Sequence, residues 1–275
     1  MIINNENLDI KQIAESGQCF RMNALEDNKY RTVAYGRYIE LTQIDETTVD
    51  FSCTEEEFNE IWKDYFDLSY DYKRIVDRLL SGKDEFLKKS ADFGKGIRIL
   101  RQEPFEALIS FIISQNKNIP AIKTCIEGIC REYGEPVKTP QGIMNEYYTF
   151  PTPEALAFAN REDLRKLKTG YRDEYIIQAA RAVYEGELDL QALVESSHEV
   201  AVEALMRLKG VGMKVANCVS LFGLHHIEAF PVDVWIKKIL DDVYDGKFDL
   251  NLYSGYAGIV QQYMFYYIRS AQLIG

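Results

Sequence analysis

The sequence predicts an α+β fold: an N-terminal antiparallel β-sheet domain over residues 1–75, then a two-lobed helical body over 76–275 with a cleft between its lobes. Three observations carry this. Within the first fifty-odd residues, pairs such as Ile39 and Leu41 alternate with polar side chains at the period of a half-buried strand. After Cys53 the period lengthens to that of amphipathic helices. Further on, Gly210 and Gly212 reverse the chain tightly between two helical segments.

Strands are expected at 30–35 and 37–43, flanking Gly36, and at 47–53 after a polar turn. Thr54-Glu55-Glu56-Glu57 is a capping box that opens a helix with Phe58, Ile61, Trp62 and Tyr65 on one side. Ile75, Leu79 and Leu80 mark the next helix. Pro104 suits a first helical turn and precedes the very apolar 105–114. A helix over 119–133 stops at Gly134, and 135–151 reads as an irregular connection. Thr152-Pro153-Glu154 starts another helix, 164–167 ends one near Gly170, and 172–184 follows. Helices at 197–208 and 213–223 flank the glycine turn, the helical pattern 234–240 comes after Asp233, and 256–271 closes the chain.

At 275 residues and 47% hydrophobic content the chain can bury a full core. Five cysteines without paired spacing, no basic-then-apolar leader and no long apolar run predict a reduced, cytoplasmic protein, here also expected to be monomeric and nucleoid-associated. The net charge of −11 counts against a protein that grips nucleic acid through its phosphates. Acidic residues, however, crowd into segments such as 54–67 and 185–199, so a local basic groove on an acidic body is expected.

The richest stretch is Leu208-Lys209-Gly210-Val211-Gly212-Met213-Lys214-Val215-Ala216, with Asp233 following in Pro231-Val232-Asp233-Val234. Backbone amides of a glycine turn at a helix start point outward as anion donors. Lys214 opens that helix, where the helix dipole and partial burial both disfavour a further positive charge, as a nucleophilic amine requires. Asp233 precedes a helical pattern and suits an N-cap, with its carboxylate also free to face the cleft. Cys218 lies one helical turn past Lys214 on the same face, beside the core stripe Val215, Val219 and Phe222. A small buried hydrophobe and a pocket wall are both open to it.

Helix, L-x-G-V-G hairpin, helix-opening lysine and P-V-D resemble the helix-hairpin-helix signature of base-excision DNA glycosylases. Gly17-Gln18-Cys19-Phe20-Arg21, Leu100-Arg101-Gln102-Glu103-Pro104, Ser114-Gln115-Asn116-Lys117-Asn118-Ile119 and Gly170-Tyr171-Arg172 resemble, in the same order, segments of the 8-oxoguanine DNA glycosylase/lyase family. The likeness covers nearly the whole chain and implies an HhH-GPD body. It implies double-stranded DNA containing 8-oxoguanine as partner, base flipping, and a lysine Schiff base with AP-lyase β-elimination.

The resemblance also implies roles. Lys214 is the nucleophile, and Asp233 stabilises the sugar cation. The Gly17 carbonyl accepts the N7 hydrogen that distinguishes 8-oxoguanine from guanine. Cys218 and Phe265 sandwich the base, with Gln261 at its pairing edge. Asn116 lies near the vacated site, Tyr171 is a candidate wedge, Arg172 contacts the orphaned base, and Gly210 and Gly212 grip the DNA backbone. By residue pattern alone, Gly17 is an ordinary turn glycine, Gln261 and Phe265 are rim and core of a helix, and Tyr171 is as much core as wedge.

Two positions depart from the family. Ala121 stands where an arginine contacts the opposite cytosine, and Trp235 where a histidine follows the aspartate. His198, His225 and His226 have no metal-ligand spacing with the cysteines, so neither metal nor cofactor is expected. The expected end of the chain lacks the iron–sulfur loop of the endonuclease III branch. A related glycosylase for another lesion and a non-catalytic DNA-binding hairpin remain the alternatives.

Overall fold

The computed structural model describes residues 1–140, 142–144 and 146–273. Five strands form one antiparallel sheet: β1 (Ile2–Asn4), β2 (Asn23–Glu26), β3 (Lys29–Ala34), β4 (Arg37–Gln43) and β5 (Thr48–Phe51), in the order β1-β5-β4-β3-β2. The tight turn at Gly36 sets the register, pairing Thr32 with Ile39 and Tyr30 with Leu41. Tyr30, Ile39, Leu41, Val49 and Phe51 are buried together with Ile10 and Ile13 of α1 (Ile10–Glu15) and with Phe58, Trp62, Tyr65 and Phe66.

Thr54 caps the next helical segment, its hydroxyl accepting from Glu57 N at 3.2 Å. The segment runs as α2 (Glu55–Glu57), a π-wound stretch Phe58–Trp62 and α3 (Lys63–Tyr65). The extra residue per turn puts Trp62 where its indole N–H reaches Glu57 Oε1 at 2.8 Å.

The helical body comprises α4 (Tyr72–Leu80), α5 (Glu85–Gly94), α6 (Pro104–Ser114), α7 (Ile119–Tyr133), α8 (Pro153–Ala157), α9 (Arg161–Lys166) and α10 (Arg172–Tyr184). It continues with α11 (Leu190–Val194), α12 (His198–Leu205), α13 (Met213–Phe222), α14 (Val234–Asp242) and α15 (Ala257–Leu273). These helices share a second core that runs from Tyr72 to Tyr266 and takes in Phe20. The segment between α5 and α6 serves both cores, with Leu100 in the sheet core and Ile97 and Ile99 in the helical one.

Two expectations need correction. Part of 135–151 is ordered as a ladder of β6 (Pro136–Val137) with β7 (Tyr147–Tyr148). This ladder covers the second face of the sheet, where Tyr147 packs on Tyr38 at 4.6 Å between ring centroids. The sheet also has two strands more than the alternation marks. The first, β1, is three residues long, and β2 is largely exposed, so neither carries a run of alternating burial.

Candidate active site

The hairpin comes first. Gly210 has φ +82°, and a Cβ there would lie 2.3 Å from the Tyr175 ring, so glycine is required by conformation and by packing alike. Gly212 is different. It is the N-cap of α13 in extended backbone, φ −92° and ψ 178°, and nothing lies within 4 Å of a Cβ placed on it. Neither conformation nor packing within the chain requires glycine there. Gln115 ties the hairpin to the α6–α7 turn by donating to Gly210 O at 3.1 Å.

Lys214 lies in the first turn of α13, half-buried, with its Nζ 5.9 Å from the centre of the Phe111 ring. Cys218, one turn on, is buried. Burial pushes its thiol up to about 11, opposed by the Lys214 charge and reinforced by Asp233, so both charges are felt at the one sulfur. Asp233 caps α14, with Oδ1 accepting from Trp235 N at 3.0 Å and Ile236 N at 2.9 Å. Both cap bonds fall on one oxygen, and the residue still lines the cavity, so the two roles read from the sequence coexist.

That cavity holds about 840 Å³. Gly17, Asn116, Gly212, Lys214, Asp233 and Phe265 all line it, with Phe20 and Phe111. Its charged lining is Lys117, Lys214, Lys237 and Arg269 against the carboxylate of Asp233, which is a cationic pocket on an acidic chain. Gly17 follows the end of α1 at φ +77°, and a Cβ there would lie 3.2 Å from Phe265 Cε1. The Arg269 guanidinium lies 5.7 Å from the Phe265 ring centre and donates to Glu15 O at 3.4 Å.

Three of the expected site residues are buried. Cys218 sits behind Lys214 and does not line the cavity. Gln261 is also buried. Its amide donates to Pro231 O at 3.0 Å and accepts from Gln262 at 3.1 Å, which anchors the loop that leads to Asp233. Arg172 is only 5% exposed and donates to the Thr169 carbonyl at 3.2 Å and to the Gln115 carbonyl. Its planar head, 4.4 Å from the Tyr171 ring centre, supports that ring and is not presented to a base.

Tyr171 itself is 54% exposed, so the core alternative falls away. Its hydroxyl accepts from Asn116 Nδ2 at 3.4 Å, and Asn116 holds the left-handed conformation at φ +51°. Ala121 donates its backbone N–H to Asn118 Oδ1 at 2.9 Å in the first turn of α7 and offers no side-chain donor. Trp235 lines the cavity. Sequence reasoning did not single out Phe20, Phe111, Lys237 or Arg269. Phe111 lies in an apolar run whose pattern says core, Phe20 sits between Cys19 and Arg21 with no period to mark it, and the cations look like any solvated charge.

The 8-oxoguanine DNA glycosylase N-terminal domain family matches residues 1–108, and the HhH-GPD superfamily of base excision DNA repair proteins matches residues 109–248. The chain belongs to the HhH-GPD superfamily, in the branch that carries the 8-oxoguanine DNA glycosylase N-terminal domain. It is 32% identical to an N-glycosylase/DNA lyase of Saccharomyces cerevisiae, over 87% of this chain and 69% of that protein. A crystal structure of the Clostridium acetobutylicum 8-oxoguanine glycosylase/lyase, in complex with double-stranded DNA containing cytosine opposite 8-oxoguanine, superposes with a TM-score of 0.90. It is 37% identical and covers 99% of this chain and 98% of that one. The structure of MBOgg1 with a low-affinity DNA ligand gives a TM-score of 0.91 at 40% identity, covering 98% and 96%.

Proposed function

We infer that the chain is a bifunctional DNA glycosylase that excises 8-oxoguanine from duplex DNA and then nicks the strand as an AP lyase, in base excision repair. The observation that carries this is one cationic cavity lined by the amine of Lys214, the carboxylate of Asp233, and the Gly17–Phe265 contact. A damaged nucleotide turned out of the stack enters that cavity. The unprotonated Lys214 Nζ attacks C1′, the C1′–N9 bond breaks, and its electron pair leaves with the base, which takes up a proton. Asp233 opposes the positive charge that builds on the sugar. The amine-bound C1′ then opens the ring to a Schiff base. Loss of a C2′ proton expels the 3′ phosphate, and water releases the amine.

Duplex DNA is the partner this reading requires, approached through the bare Gly212 turn and the cationic lining. We propose that the chain acts as a monomer. No helix among the described residues is long and apolar enough to cross a membrane, and action on nucleoid DNA in the cytoplasm fits the substrate. Gly17 and Phe265 favour oxidised guanine over another lesion. The amine favours catalysis over a passive hairpin.

Borohydride reduction tests it. Wild-type protein on an 8-oxoguanine duplex should yield a covalent adduct, and Lys214→Gln should yield none. An adduct at wild-type yield from the glutamine variant would make another amine the nucleophile.

A further inference from the structure

Gly17 and Lys214 belong to different parts of the chain, yet excision needs both at fixed distance from one nucleotide. The connection between them is short and buried. Gln102 is 5% exposed, and its single amide nitrogen donates to Gln18 O at 2.8 Å and to Phe222 O at 3.3 Å. Phe222 ends α13, the helix that Lys214 opens, and its carbonyl is among those a helix leaves without an internal partner. Gln18 is wholly buried. Its Oε1 accepts from Leu100 N at 2.8 Å, and its Nε2 donates to Arg98 O at 2.8 Å and Ser16 Oγ at 2.9 Å. Both neighbours of Gly17 are therefore fixed, and with them the plane of the peptide between Gly17 and Gln18.

An apolar path runs beside the polar one. Phe20 meets Phe111 edge-on at 5.5 Å, and Phe111 stacks on Phe222 at 5.4 Å while lying below Lys214 Nζ. There is little slack at the end of α13, because a Cβ on Gly223 would lie 2.7 Å from Ala107 Cβ. The aromatic stack sets spacing but leaves rotation about it free. The amide bonds of Gln102 and Gln18 remove that freedom.

We propose that Gln102, acting with Gln18, is a positioning residue that holds the Gly17 recognition turn in register with the Lys214 helix. This rests on the functional reading above and adds a separation of activities to it. Base excision uses the recognition turn and the amine together. Cleavage at a preformed AP site uses the amine alone, since no base is present for Gly17 to hold. Breaking the Gln102 bridge therefore costs excision and spares the lyase step.

The test compares wild type with Gln102→Leu, which keeps volume and removes the donors. Single-turnover excision on an 8-oxoguanine duplex should fall about thirtyfold, the scale of a sub-ångström misplacement. AP-site cleavage by the same preparation should stay within about twofold. Gln102→His, which retains one N–H donor, should recover part of the excision rate. It also serves if the leucine variant does not fold. A parallel loss of both activities in whichever variant folds would make Gln102 a purely structural residue, and an unchanged excision rate would remove its role. Either result overturns this inference alone. A wild type that leaves 8-oxoguanine in place overturns it together with the functional reading.

Discussion

The cavity has two kinds of wall. One is chemical in the proposed function: Lys214 in the first turn of α13 and Asp233 at the cap of α14, both at helix starts and both lining the cavity. The other, which the proposed function makes the recognition wall, brings Gly17 and Phe265 together from near opposite ends of the chain, backed by Arg269. The chemical wall is set by local structure, because a helix start dictates where its first residues point. The recognition wall is a tertiary product. It exists only because α15 packs against the turn after α1. The two walls should therefore fail differently, and variants on each should separate excision from lyase chemistry.

The sharpest separation within the chemical wall is Asp233→Asn. Asparagine caps helices as well as aspartate does, so α14 should persist and the melting temperature should scarcely move. Charge is lost at the point where the sugar cation develops, and turnover should drop roughly a hundredfold or more. Retention of damage binding with lost turnover assigns Asp233 to chemistry. Full activity would leave it only the cap it visibly makes.

On the recognition wall, Gly17→Ala is the matching probe. The residue is left-handed at φ +77°, and the added carbon would press Phe265 Cε1 at 3.2 Å. An alanine in that conformation costs about 1–2 kcal/mol, and relief by turning the peptide would misdirect its carbonyl. Excision of 8-oxoguanine should fall about tenfold or more, with AP-site cleavage nearly intact. Equal losses in both would dissolve the distinction between the walls.

The hairpin glycines, alike in the sequence motif, divide along another line. Gly210→Val must displace the Tyr175 ring, whereas nothing lies within 4 Å of a Cβ on Gly212. The first should lower the melting temperature along with every activity. The second trades an N-cap glycine for valine, so it should lower the melt only slightly, and should weaken binding to damaged and undamaged duplex alike by about tenfold, a backbone effect without sequence reading. A Gly212→Val protein that binds undamaged DNA normally would deny the hairpin its contact with the backbone.

Legibility in the sequence follows the same divide. The helix α7 matches the expected 119–133 to the residue and stops at Gly134 as expected, and the structure adds the Asn118 cap and Pro120 in its first turn. Lys214 and Asp233 were readable as helix-start residues beside glycine or proline. Short partners in distant pairings were not: β1 bonds to a strand more than forty residues on, and β6 and β7 pair across a gap with no alternation. Gly17 and Phe265 were nameable through family resemblance alone, since neither spacing nor period brings them together. The resemblance gives no hint that Arg172 is buried beneath Tyr171, because that burial depends on a carbonyl contributed by Gln115.

That burial bears on the smallest expected effect, the choice of opposite base. The family places a cytosine-reading arginine where Ala121 stands, and Ala121 offers no side-chain donor. Arg172 would be the remaining reader, yet its guanidinium is buried and engaged by the Thr169 and Gln115 carbonyls. The exposed side chain of this region is Tyr171, whose ring can fill space but has no bidentate edge. A bidentate contact is worth about 1–3 kcal/mol of discrimination, so its absence should bring the four opposite bases within about tenfold of one another. Single-turnover excision of 8-oxoguanine opposite cytosine, adenine, guanine and thymine measures this directly. Ala121→Arg should restore part of a cytosine preference, because the first turn of α7 is firmly capped and can carry a long side chain on its exposed side. A preference of several hundredfold in the wild type would mean that Arg172 leaves its carbonyls when DNA binds. Arg172→Ala would then abolish that preference, whereas with Arg172 held in place the same variant should loosen Tyr171 and slow excision equally opposite all four bases.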